Sequence, residues 1–195
     1  MTTVGVFVFP GAEELDFVGP WEVLRAWERV WPDDGQHVVM LAREEGTITC
    51  AMGMLVVPEL TWATAPPLDV LVYPGGQGTV GQLGDETIRA WVRGVAGAGT
   101  LMTSVCTGAL VFADAGLLDG RPATTHWASL DHLASLGRDI EVRPDDRFVD
   151  DGDVVTSSGV SAGIDMALHL VARLAGPERA RQVRRFIQYD PAPPV

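Results

Sequence analysis

Cysteine is nearly absent from this chain. Only Cys50 and Cys106 occur among its 195 residues, and no CxxC, HExxH or comparable cluster offers a metal its ligands. Basic residues are also few, 14 against 26 acidic ones, for a net charge of −12. Such a surface repels phosphate backbones and argues against nucleic-acid binding. The cluster Arg179, Arg181, Arg184 and Arg185 reads instead as a solvated helix face. No apolar run approaches the length that crosses a bilayer, so no membrane partner is expected. Met1-Thr2-Thr3 leads straight into a strand-like segment without a basic n-region, so no signal peptide is expected either. Two cysteines without a secretory signal point to a reducing cytoplasm. A Pro/Ser-rich linker, a charge block and an internal repeat are all lacking. What is present, 47% hydrophobic and 21% charged residues, excludes disordered and collagen-like classes and suits one domain over residues 1–195.

Along the chain, strand patterns alternate with helical ones. Val4–Phe9 is a continuous apolar run of the kind a buried parallel strand shows, broken by Pro10-Gly11. A helix is expected from near Gly19-Pro20, with Val23, Leu24, Trp27 and Val30 on one face. His37–Ala42 reads as a strand, and Thr47–Cys50 with Leu55–Val57 as a hairpin or short excursion. Val70–Tyr73 and Leu101–Val105 are further strands. Between them Ile88, Trp91, Val92 and Val95 have helical spacing. A helix follows Cys106 to about Ala115, and another leads from His126-Trp127 to about Leu136. Val142, Phe148-Val149 and Val154–Thr156 are short strands. Ala162–Ala175 and Pro177–Gln188 form a last helical pair, before a non-helical tail from about 190 with Pro191, Pro193 and Pro194. This alternation predicts an α/β fold, a mainly parallel sheet sandwiched by helices.

Cys106 stands where a β-rich apolar stretch stops and small residues open a helix, in Thr103-Ser104-Val105-Cys106-Thr107-Gly108. This is the sequence form of a nucleophile elbow, a tight strand-to-helix turn that exposes one side chain. A thiol there lies near the next helix's N-terminus, whose partial positive charge favours thiolate. The alternative is a buried, inert cysteine, the reading preferred for Cys50. Ligands of parallel α/β sheets gather outside the carboxyl ends of the strands, where Gly11–Gly19 and Pro74–Gly78 also lie. Glu13 and Glu14 read as acids complementing a helix N-terminus. Asp16, held inward between Leu15 and Phe17, is placed to exchange protons with the cysteine or a substrate. Pro74-Gly75-Gly76-Gln77-Gly78 lets backbone N–H groups approach an anion, or is an ordinary turn. His126 is either a partner for Cys106 or a polar residue at a helix start.

These segments, in this order, resemble the ThiJ/PfpI superfamily and its flavodoxin-like, class I glutamine-amidotransferase-like fold. The likeness continues through Ala123-Thr124-Thr125-His126-Trp127 and Ser161-Ala162-Gly163-Ile164-Asp165. Within the superfamily the chain is most similar to the isonitrile hydratases, which join a Ser-Val-Cys-Thr-Gly elbow to an aspartate where many relatives place glutamate. Here those are Cys106 and Asp16. Peptidase-like relatives carry histidine directly after the cysteine, and Thr107 in that place speaks against peptidase activity.

The resemblance implies a homodimer acting on a small molecule without a required cofactor. It implies a site in which Cys106, Asp16 and Thr107 carry the chemistry, while Gly75, Gly76, Gly108, Ser158, Gly159 and Val160 line it or hold charge. The expected reaction is hydration of an isonitrile to an N-substituted formamide through a thioimidate on Cys106. Ser157-Ser158-Gly159-Val160 departs from the more glycine-rich stretch of the hydratases, which leaves substrate size and class open. Two rivals use the same thiol: glyoxalase- or deglycase-like chemistry on α-oxoaldehydes, and a non-enzymatic redox sensor in which Cys106 becomes a sulfinate. The Cys-Thr-Gly pattern also occurs in sensor domains of some transcription regulators, but 195 residues are expected to leave no room for their DNA-binding helix-turn-helix.

Overall fold

β1 (Thr2–Phe7) is the axis of the molecule. It pairs in parallel with β2 (Gln36–Ala42) on one side and β6 (Val70–Tyr73) on the other. The sheet extends through β7 (Leu101–Val105) to β11 (Val154–Ser157), and past β2 to the two-residue β5 (Leu60–Thr61). Within this sheet, among the described residues, only the edge strand β10 (Phe148–Asp150) is antiparallel. The computed structural model describes residues 1–191, so Pro193 and Pro194 of the expected tail lie outside the described residues.

Two groups of helices flank this sheet. One is α1 (Glu14–Val30), α5 (Ala162–Ala175) and α6 (Pro177–Phe186); the other is α2 (Glu86–Gly97), α3 (Gly108–Asp114) and α4 (Leu130–Leu136). Each central strand is buried along nearly its whole length, as a sheet covered on both faces requires. The hairpin β3 (Ile48–Thr49) and β4 (Leu55–Val56) and the pair β8 (Pro122–Ala123) and β9 (Glu141–Val142) stand outside the main sheet.

The sheet changes winding direction at β1: the chain steps outward to β2, then returns to β6 and proceeds to β7 and β11 on the far side. Such a reversal opens a crevice at the carboxyl ends of the strands. The loops after β1, β6, β7 and β11 all reach that crevice.

Several boundaries differ from expectation. α1 begins at Glu14, not near Gly19-Pro20, and carries Pro20 inside it. Packing makes this tolerable. Gly19 and Pro20 are buried, and α5 approaches so closely that a Cβ on Gly163 would lie 3.2 Å from the Pro20 ring. β1 ends at Phe7, although the Val8 N–H still bonds to Leu41 O at 2.9 Å. β5 is too short to carry a readable period. The segment after His126 opens with one 3-10 turn, Trp127–Ser129, before α4.

Candidate active site

Cys106 occupies the tight turn between β7 and α3 with φ of +56°, a left-handed conformation that costs a side-chain-bearing residue about 1–3 kcal/mol. Neighbours hold it there. Its N–H is shared between Ser157 O at 3.2 Å and Ser158 O at 3.1 Å. Its carbonyl accepts the Thr125 hydroxyl at 2.7 Å. Gly108 lets the helix start against β6, since a Cβ there would collide with Tyr73 O.

Asp16 reaches the same place from the first turn of α1 and is fully buried. Its Oδ2 accepts the Gly75 N–H at 2.9 Å, and its Oδ1 has no hydrogen-bond partner among the described residues. The Gly76 N–H donates to Thr107 Oγ1 at 2.9 Å, and Thr79 Oγ1 lies 3.1 Å from the same oxygen. The two glycine amides are thus engaged in holding Asp16 and Thr107, where the sequence suggested N–H groups open to a ligand. Both glycines are required sterically. A Cβ on Gly75 would fall on the Thr107 backbone, and Gly76 has φ of +127° with Glu13 N in the way.

The backbone N–H groups that do face the sulfur are those of Thr107 and Val160. Val160 is itself left-handed, with φ of +46°, rare for a β-branched residue. Burial pushes Asp16 up to about 7, against the pull of the Gly75 N–H, with the charge on Glu13 adding to the rise. Burial likewise pushes the Cys106 thiol up to about 12, reinforced by the charge of Asp16. The N–H groups of Thr107, at the start of α3, and of Val160 pull in the lowering direction, but burial of Cys106, 6% exposed as a residue, outweighs them. At neutral pH the cysteine is therefore a thiol, beside a carboxyl group that burial has pushed up to about 7.

Beside the elbow lies a cavity of about 330 Å³ whose lining includes His126, Trp127, Arg147, Ser158, Gly159 and Val160. His126 Nδ1 accepts the Ala128 N–H at 3.3 Å and so caps the turn. Its ring lies over Gly159, and it forms no hydrogen bond with Cys106. Glu14 accepts the Met52 and Met54 N–H groups at 2.8 and 3.2 Å, fastening the β3–β4 hairpin. Thr79 and Thr125 were not singled out from the sequence. Their contacts join stretches 28 and 19 residues apart, and a buried hydroxyl has no periodic signal. No group of three or more His, Cys, Asp or Glu suited to a metal occurs among the described residues.

A thiol on a strained elbow at the carboxyl end of a parallel sheet, with a buried carboxyl from the first turn of α1, defines the class. The sequence model of the DJ-1/PfpI family matches residues 2–173, and the chain belongs to that family. It is 40% identical over 191 residues to isonitrile hydratase of Pseudomonas putida, covering 98% of this chain and 80% of that protein. It is also 31% identical over 176 residues to the HTH-type transcriptional regulator CdhR of Pseudomonas aeruginosa, covering 90% of this chain but 52% of the regulator. A crystal structure of a ThiJ/PfpI family protein from Pseudomonas syringae superposes with a TM-score of 0.89 at 33% identity, over 100% of this chain and 77% of that one.

Proposed function

We propose that this chain hydrates isonitriles to N-substituted formamides, with Cys106 as nucleophile and Asp16 as proton carrier. One observation carries the reading: the fully buried carboxyl of Asp16, pushed up to about 7 by that burial, is set against a thiol on a strained elbow. The likeness to isonitrile hydratase supports it. Ionised Asp16 takes the thiol proton as sulfur attacks the terminal isonitrile carbon. The S–C bond forms, electron density gathers on that carbon, and Asp16 returns the proton to it, giving the thioimidate R–N=CH–S. Water then adds to the same carbon with Asp16 as base, and Asp16 passes the proton it takes to the nitrogen. Collapse to the carbonyl breaks the C–S bond, returns a proton to sulfur and releases R–NH–CHO.

Thr107 and Val160 stabilise developing negative charge on sulfur through their N–H groups, Gly75 orients the carboxyl, and Gly76 and Gly108 permit the close packing. Ser158 and Gly159 shape the neighbouring cavity for the R group. A sensor needs an exposed thiolate of low pKa, and the buried, raised thiol of Cys106 argues against that reading. We further propose a homodimer, supported by the exposed apolar side chains Met52, Met54, Leu55 and Val57 on one hairpin. Two free cysteines favour a reducing cytoplasm.

The test is to mix the reduced protein with an alkyl isonitrile and follow formamide, with Cys106→Ala alongside. Formamide from the wild type alone supports the reading. None from intact protein overturns it, and lactate from methylglyoxal would then place the thiol in α-oxoaldehyde chemistry.

A further inference from the structure

We propose that a cavity walled by Phe7, Phe9, Trp62 and Ile88 binds an uncharged single-ring aromatic molecule carrying one hydrogen-bond acceptor, independently of the Cys106 site. The cavity measures about 210 Å³; an apolar space of about 150 Å³ already admits benzene, so this one takes a substituted ring. Its aromatic walls are locked by one another: Phe7 lies 6.0 Å from Phe9 and 6.2 Å from Trp62, and Trp62 lies 4.9 Å from Trp91. Faces and edges fixed in this way give an entering ring offset or edge-on partners without loss of side-chain freedom.

Charge on the lining is already neutralised. Arg43 Nη1 lies 3.0 Å from Asp85 Oδ2, its guanidinium stands 5.3 Å from the Trp62 ring centre, and Asp85 also caps α2 through the Thr87 N–H at 2.8 Å. A charged ligand would find no free counter-ion and would lose its hydration. One polar handle remains. The side-chain carbonyl of Gln82 accepts the buried Tyr73 hydroxyl, and its Nε2 donates to none of the described residues. Gln82 is 7% exposed and lines the cavity, where an acceptor on the ring would satisfy that amide.

None of the residues assigned to the Cys106 site lines this space. The turn of residues 77–82 separates the two, with Gly78, Gly81 and Gln82 toward the cavity and the Thr79 hydroxyl toward Thr107. Gly81 lines the space and can take a side chain, since a Cβ there meets no atom within 4 Å.

The experiment titrates the ¹⁵N-labelled chain with p-cresol. Saturable shifts centred on the Gly78, Gly81 and Gln82 amides and the Trp62 indole are expected, unchanged in Cys106→Ala. Gly81→Leu should weaken binding about tenfold or more, as should Trp62→Ala, which removes a wall and serves if the first variant does not fold. 4-Methylcyclohexanol and benzoate should bind about tenfold more weakly than p-cresol. Shifts that never saturate, shifts centred on Thr125 and Val160, or undiminished binding in the folded variants would overturn the proposal.

Discussion

Asp16 loses its contact with water on folding, and the consequence reaches beyond chemistry. In the unfolded chain its carboxyl releases a proton near the ordinary aspartate value, whereas the fold holds that proton up to about 7. The stability it contributes is full below the ordinary value and is lost as pH rises through about 7, a loss on the order of 4 kcal/mol. Asp16→Asn, neutral at every pH, should therefore raise the melting temperature far more at pH about 8 than at pH about 4.5. Equal shifts at both would contradict this account. Activity runs the other way. The thiol needs an ionised acceptor, so kcat/KM for isonitrile should rise through one ionisation near 7 and then stay level, because Cys106 titrates far above. Asp16→Asn should lower it about 100-fold or more and abolish that ionisation.

At the scale of elements, two contacts make distinct predictions. Glu14 ties the β3–β4 hairpin to α1, each of its bonds being a charge-assisted one. Glu14→Ala should speed amide exchange at Met52 and Met54 about tenfold while the melting temperature barely moves, since the hairpin stands outside the main sheet. Gly108→Ala forces a Cβ onto the Tyr73 and Pro74 carbonyls, which are backbone and have little room to yield. It should destabilise by about 1–3 kcal/mol, measured by denaturant melts. The central strands were legible in the sequence because burial on both faces leaves unbroken apolar runs. Cys106 was legible for a similar local reason, small residues following a strand. The start of α1 was not, because the proline that seemed to begin it is accommodated by a glycine some 140 residues away. Nor was the raised thiol, which follows from the surrounding packing and not from the helix end alone.

For the whole molecule, the surface is acidic, and while Val80 and Trp127 are exposed elsewhere, one hairpin carries Met52, Leu55 and Val57, each 67% exposed or more. If these residues pair two copies, light scattering of the wild type should give twice the chain mass, and Leu55→Glu with Val57→Glu should give a monomer that retains its helix content. The order of strands has a further consequence. Cys106 is clasped by Ser157, Ser158 and Val160, which arrive only with β11, long after β7 in the chain and at the far side of the sheet from β2. Until that strand docks, the sulfur is open to water and free to react. Brief pulses of iodoacetamide during refolding should therefore label Cys106 faster before docking than after it, making the thiol a clock for the closing step of assembly.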